Sequence, residues 1–402
     1  MHKRVLGVIT GLAAVATMAT APTASADAGP VKITMPALSG RYPVGTIDLH
    51  LVDKARQDPW KPAQRREVMA TVSYPADRAG TGRRASWLEP GVANAVDALA
   101  ASPDLLGIPR GSVDWGSTRR QARTAAGIDR SHGDWPVVLF SPGFGGAREL
   151  NAGLVDDLAS RGYVVVSLSH THESVAVEFP DGRVEPSMID ENDPTMMKTA
   201  IDARTGDARL VLDELPKLDR RLAGALDLSK IGMFGHSYGG YTAGETMVQD
   251  RRIDAGINLD GAMRDIGPGE IVKHGVDRPF LLMGADFIDP ATGTKIEHSH
   301  QDRVLDPTWA DFWPNQRAWK RDLHLHGSTH YSYTDLQIAV PQMGALLTPA
   351  QQAGAVGPID PTKSLKAQHD YVSAYFDLHL KGRDRHLFDG NSPNYPEVRF
   401  ID

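Results

Sequence analysis

Seven short apolar runs, most rich in β-branched residues, are strung along this chain, and most are separated by stretches with helical periodicity. They cover residues 68–74, 135–140, 163–168, 231–234, 253–259, 279–283 and 322–325. Several are apolar without interruption, such as WPVVLF and YVVVSL. A strand tolerates that only when both of its faces are covered. Residues 147–161 follow a glycine turn, set Leu150, Leu154 and Leu158 four apart, and stop at Gly162. Residues 199–215 hold Ile201, Ala208, Val211, Leu212 and Leu215 on one face and stop at Pro216, because proline cannot continue a helix. Residues 238–249 and 363–381 supply two more helices. Strands alternating with helices predict an α/β fold with a mostly parallel central sheet and helices on both faces.

Two stretches break the pattern. Residues 76–134 are rich in Arg, Ala, Gly and Pro and read as a helical excursion between early strands. Residues 174–198 read as a loop carrying Met188, Met196 and Met197. That loop is either solvated decoration or a lid whose adaptable Met side chains meet apolar ligands.

The first residues address the compartment. His2, Lys3 and Arg4 precede an apolar run to about Ala19, and Ala24-Ser25-Ala26 is an A-x-A cleavage signal. Residues 1–26 therefore read as a secretory signal peptide, and residues 27–402 as a single secreted domain with insertions near 76–134 and 174–198. No later stretch has the apolar length of a membrane span, so no transmembrane anchor is expected. Removing Lys3 and Arg4 with the leader takes the formal net charge from −7 to −9. An acidic chain without basic clusters is a poor partner for nucleic acid. The absence of cysteine excludes disulfides, a cysteine nucleophile and thiolate metal sites.

The chemistry is carried by Gly235-His236-Ser237-Tyr238-Gly239. In a chain with 39 glycines, G-x-S-x-G alone means little. Its setting decides: it follows the strand-like residues 230–234 and opens a helix. A strained strand–turn–helix junction of this kind is the nucleophile elbow of α/β-hydrolases, and it lifts a serine hydroxyl above the sheet edge. Ser237 is thus the predicted nucleophile. The backbone N–H of Tyr238 at the helix start is one oxyanion donor. The second is the N–H of Phe144, in Ser141-Pro142-Gly143-Phe144-Gly145-Gly146 after an earlier strand.

A serine hydroxyl needs a histidine base, and in this fold the base follows the last strand. His330, at the tip of Gly327-Ser328-Thr329-His330, fits that place. His324 and His326 share one side of the strand, and His236 lies inside the elbow. His170 and His172 follow a strand end and suit structural contacts. His298 and His300 have i,i+2 spacing without a third ligand, so no metal is expected. For the acid, Asp260 follows the first strand after the elbow, and Asp286 and Asp289 follow the next. Spacing alone leaves them open.

The ordered motifs resemble the plasma-type platelet-activating-factor acetylhydrolase family and its bacterial lipase-like relatives. The likeness runs through Val72-Ser73-Tyr74-Pro75, Phe140-Ser141-Pro142-Gly143-Phe144-Gly145, Ser169-His170, the Ser237 motif with Gly240, Leu259-Asp260-Gly261-Ala262-Met263, and the His330 loop. That family carries its acid in an L-D-x-x-M segment, so the resemblance implies Asp260, with Asp289 as runner-up. Pro142 stands where the family often has histidine. The resemblance implies a Ser-His-Asp esterase needing no cofactor and acting on a small ester or lipid, with a short-acyl or phospholipid-type substrate. The alternatives are a lipase or polyester hydrolase of longer acyl chains, and a non-catalytic binding protein that kept the fold.

Overall fold

The computed structural model describes residues 29–77, 82–289 and 292–402; the expected leader, residues 1–26, lies outside them. The strands in chain order are β1 (Val44–Gln57), β2 (Arg65–Pro75), β3 (Arg84–Ser86), β4 (Arg119–Thr124), β5 (Trp135–Ser141), β6 (Val164–Ser169), β7 (Ala176–Glu178) and β8 (Val184–Pro186). They continue with β9 (Leu226–His236), β10 (Ala255–Leu259), β11 (Phe280–Gly284), β12 (Asp286–Ile288), β13 (Lys295–Glu297), β14 (Lys320–Leu325) and β15 (Val398–Phe400). Eleven of them form one sheet in the order β15-β14-β11-β10-β9-β5-β6-β2-β1-β4-β3. From β14 to β6 every neighbour is parallel. β2 joins β6 antiparallel, and β1 joins β2 antiparallel.

The uninterrupted apolar runs find their reason in the two-sided core. In β5, Val137 and Leu139 face one cluster while Val138 and Phe140 face the other. The first cluster is closed by α3 (Met196–Arg221) and α4 (Tyr238–Gln249), through Ala208, Val211, Leu212, Ala243 and Met247. The second is closed by α2 (Ala152–Ser160) and the C-terminal helix Pro361–Lys381, through Leu154, Leu158, Tyr375 and Phe376. A fully buried side chain such as Phe234 contributes about 1.5–3 kcal/mol by leaving water. The fold is the α/β-hydrolase type read from the sequence.

Three expectations need correction, and one strand went unread. Residues 76–134 are not mainly helical. Among the described residues they hold one α-helix, α1 (Pro90–Ala100), and a 3₁₀ turn at Trp115–Ser117, and they add β3 and β4 to the sheet edge. The inward residues of β4 are only Ala122 and Arg120, which pairs with Asp156 and donates to Ser73, so the apolar signature of this strand is weak. Residues 174–198 are not a plain loop. They contain the β7–β8 hairpin, whose Val177 and Phe179 pack on Met69, and Met196 and Met197 open α3. The 14-residue β1 went unread because, beyond three buried residues, it alternates half-buried and exposed positions at the half-solvated end of the sheet. Finally, α3 runs through Pro216 to Arg221, since Leu218 continues its buried stripe. The helix loses one backbone hydrogen bond there, and packing outweighs it.

Among the described residues, no helix is long and apolar enough to cross a membrane.

Pro216 is exposed and sits inside a continuous helix. Restoring its N–H with Pro216→Ala should raise stability by about 1–2 kcal/mol, read from the urea midpoint. A lowered midpoint would show that the proline is required where it stands.

Candidate active site

The elbow is built by crowding. β9 ends at His236, Ser237 adopts φ 55° and ψ −127°, and α4 starts at Tyr238. A positive φ at a non-glycine residue is strained and persists only where the surroundings hold it. Here the Ser237 N–H donates to Leu259 O at 2.8 Å, tying the turn to the end of β10. Gly239 is required because a Cβ there would lie 1.9 Å from Ser141 O. At Gly235 it would lie 2.1 Å from the carbonyl carbon of Gly239, and at Gly261 1.9 Å from Ser237 O.

Asp260 stands at the next strand end in the same strained way, with φ 58° and its N–H donating to Met283 O at 2.9 Å. Its carboxylate is buried. Oδ2 lies 2.6 Å from His330 Nδ1. Oδ1 accepts the Ala285 N–H and faces His298 Nδ1, both at 2.9 Å. Burial alone would raise the pKa of Asp260, but the bonds from His298 and His330 outweigh it and hold the group far below the usual carboxylate range. The other acids lie elsewhere. Asp286 pairs with His324 at 2.8 Å, and Asp289 accepts the Thr292 hydroxyl at 2.8 Å.

His330 opens a 3₁₀ turn, His330–Tyr333, fixed by a capping box on Thr329 and Ser332. Its carbonyl accepts from His236 Nε2 at 2.9 Å, and the two rings lie 4.6 Å apart. Burial pushes His236 down to about 3, helped by the neighbouring His330, so at neutral pH it is an uncharged donor. His330 is the more open partner, with its side chain 41% exposed against 7% for Asp260. The Ser237 hydroxyl makes no hydrogen bond to the His330 ring among those of the described residues. Catalytic hydrogen bonds are often long in unliganded enzymes and tighten when substrate binds.

The loop at residues 141–146 lies against the elbow, and a Cβ on Gly143 would come 3.2 Å from Ser237 Cβ. The Phe144 ring meets the Tyr238 ring edge-on at 5.7 Å. Neither the Phe144 nor the Tyr238 N–H donates to another backbone group among the described residues. Tyr238 also donates its hydroxyl to Met197 O at 2.7 Å.

Two side chains that the sequence reading passed over hold this loop from behind. Arg204 donates to Pro142 O at 2.8 Å and Gly143 O at 2.9 Å, and to Glu173 Oε1 at 2.7 Å. Glu173 Oε1 in turn accepts the Gly145 N–H at 2.7 Å. Both are fully buried, so removing either would strand a charge at a cost of about 3–5 kcal/mol. The available signal was an arginine on the buried stripe of α3, four residues from both Ala200 and Ala208. His170 is structural as read, bridging Ser141 Oγ at 2.9 Å and Asp207 at 3.0 Å. His298, considered in the sequence only as half of an i,i+2 pair, is the second imidazole on Asp260.

Asp286, Glu297, His324 and His326 bring ligand-type atoms within 4.8 Å of one another, as do the exposed Asp384, His386 and Asp389. In the first group the Lys295 ammonium already contacts Asp286 at 3.1 Å and His326 at 3.2 Å, supplying the positive charge.

A family model described as platelet-activating factor acetylhydrolase, isoform II, matches residues 28–188 and 196–392. The chain is 30% identical over 288 residues to a probable 1-alkyl-2-acetylglycerophosphocholine esterase of Arthroderma benhamiae, across 68% of each protein. It is 25% identical over 284 residues to a platelet-activating factor acetylhydrolase of Cavia porcellus, across 64% of this chain and 60% of that one. Among solved structures, a ferulic acid esterase from Streptomyces cinnamoneus superposes with a TM-score of 0.73 at 34% identity, covering 93% of this chain and 100% of that one. The chain belongs to the platelet-activating factor acetylhydrolase, isoform II, family, and is a carboxylic ester hydrolase of the α/β-hydrolase fold.

Proposed function

We propose that the protein is a secreted serine esterase that cleaves short-acyl or phospholipid-type esters through an acyl-enzyme, with Ser237, His330 and Asp260 as its triad. The observation that carries this reading is the 2.6 Å contact of Asp260 Oδ2 with His330 Nδ1, beside an elbow whose serine has φ 55°. In the reaction, Ser237 Oγ attacks the ester carbonyl while His330 Nε2 takes its proton. The N–H groups of Phe144 and Tyr238 receive the oxyanion of the tetrahedral intermediate. Collapse breaks the bond to the alcohol, which leaves with the proton from His330. Water, deprotonated by His330, then attacks the acyl-serine and frees the acid. Asp260 keeps the imidazole in the right tautomer and stabilises the imidazolium. Arg204 and Glu173 support the same reading, because they fix the carbonyls and one N–H of the oxyanion loop so that the Phe144 N–H keeps its direction.

The short-acyl reading draws on the named activity of the Arthroderma relative, an acetylglycerophosphocholine esterase. A hydroxycinnamoyl ester is the second reading, favoured by the closer identity and fuller coverage of the ferulic acid esterase. Secretion rests on the basic, apolar and A-x-A segments of residues 1–26.

An organophosphonate probe should add its mass to Ser237, and a folded protein without the adduct would defeat the serine mechanism. Asp260→Asn should cut kcat by about 10⁴-fold, with Asp289→Asn near wild type; the reverse pattern would move the acid to Asp289. On p-nitrophenyl esters from acetyl to palmitoyl, rates should fall with chain length, and methyl ferulate reports on the second reading. A steep preference for long chains would make the enzyme a lipase or polyester hydrolase instead. Protein recovered from the culture medium should begin at Asp27 by N-terminal sequencing; retention of residues 1–26 would overturn the leader.

A further inference from the structure

Asp260 is shared between two imidazoles. His330 approaches Oδ2 at 2.6 Å, and His298 approaches Oδ1 at 2.9 Å through its own Nδ1. The other nitrogen of His298, Nε2, faces Asp306 Oδ2 at 3.3 Å. Asp260, His298 and Asp306 are all buried. A neutral imidazole has one bare nitrogen, which would repel a carboxylate oxygen, whereas the imidazolium donates from both.

We propose that His298 is a positioning residue for the catalytic acid: a permanent imidazolium that holds Asp260 in place and tempers the charge Asp260 exerts on His330. This rests on the triad reading given above.

The surroundings make His298 hard to move. Its ring stacks on Trp309 at 3.9 Å and 26°, and the Trp309 indole N–H donates to Gly261 O at 2.8 Å, next to Asp260. Asp306 is fixed by the Thr308 hydroxyl at 2.6 Å and the Thr308 N–H at 3.1 Å. The charged and titratable groups around the ring are Asp260 and Asp306 at its two nitrogens, His330 beyond Asp260, and Asp322 of β14, which is engaged by His300 at 2.7 Å. Burial alone would lower the pKa of His298, but the bonds to Asp260 and Asp306 outweigh it and push the group up to about 10. The sign follows: stabilisation from the charged form is fully present below the ordinary histidine range and is lost as pH rises through about 10.

With the cation in place, Asp260 is partly neutralised; without it, the full carboxylate charge faces the His330 ring. The acid limb of the kcat/KM profile reports this directly. His298→Gln keeps an amide able to donate to Asp260 but drops the charge, and should move that limb to higher pH by about one unit, with KM within about threefold of wild type because no substrate contact is lost. A fall in kcat with the limb unmoved would reduce His298 to a structural part and overturn the proposal. If the variant fails to fold, ¹⁵N-histidine NMR of the wild-type enzyme at pH 7.5 tests the charge directly. Both His298 nitrogens should carry protons, and one bare nitrogen would sink the idea. Asp260→Asn separates the two claims. An active Asp260→Asn enzyme defeats the triad reading itself, whereas an inactive one beside an unshifted His298→Gln profile defeats only the role of His298.

Discussion

A strand buried on both faces has no free side for a group that must meet substrate, so its polar chemistry is pushed to its ends. Six parallel strands, β6 through β14 in sheet order, obey this here, with β5 and β10 buried along their whole lengths. At each carboxyl end the backbone leaves the ladder and needs another partner. The chain solves this stepwise. The N–H just past β9 bonds the last carbonyl of β10, and the N–H just past β10 bonds Met283 O in β11. Ser237 and Asp260 are the residues on those two steps, and both adopt a positive φ. The site is thus a product of how adjacent parallel strands finish one another.

Behind those steps lies a set of buried charges. Arg204 with Glu173 steadies the loop after β5, and His298 with Asp306 flanks Asp260 after β10. Ion pairs in such places contribute little net stability, because desolvation offsets their attraction. What they supply is direction: each has a backbone or carboxylate oxygen near the reaction centre to hold. Preorganised dipoles of this kind do their work in the transition state without rearranging.

The repeating frame was legible because it is local. Continuous apolar runs and helical periodicity located β2 and the six parallel strands, and the glycines around Ser237 marked a turn that only a close-packed crossing requires. Asp260 was not separable from Asp289 by spacing, and only the L-D-x-x-M resemblance ranked it first; its contact with His330 joins residues 70 positions apart. The residues that escaped reading act across long separations. Arg204 reaches Gly143 over 61 positions, and His298 reaches Asp260 over 38. Nothing in a one-dimensional pattern ties such partners together. Arg120 escaped for a related reason, since a short strand whose inward residues are a paired arginine and an alanine looks like a surface. Pro216 misled in the opposite direction, as a strong local rule overruled by the packing of Leu215 and Leu218 on either side of it.

One contact links the elbow to the histidine loop without touching substrate. His236 donates from Nε2 to the backbone carbonyl of His330, and Ser237 is the next residue along. Ser237 and His330 therefore hang from neighbouring residues at one strand end, although they are 93 positions apart in the chain. Any shift of that strand end carries both residues together. The distance between their side chains is then set at one shared anchor, rather than by the drift of a whole loop.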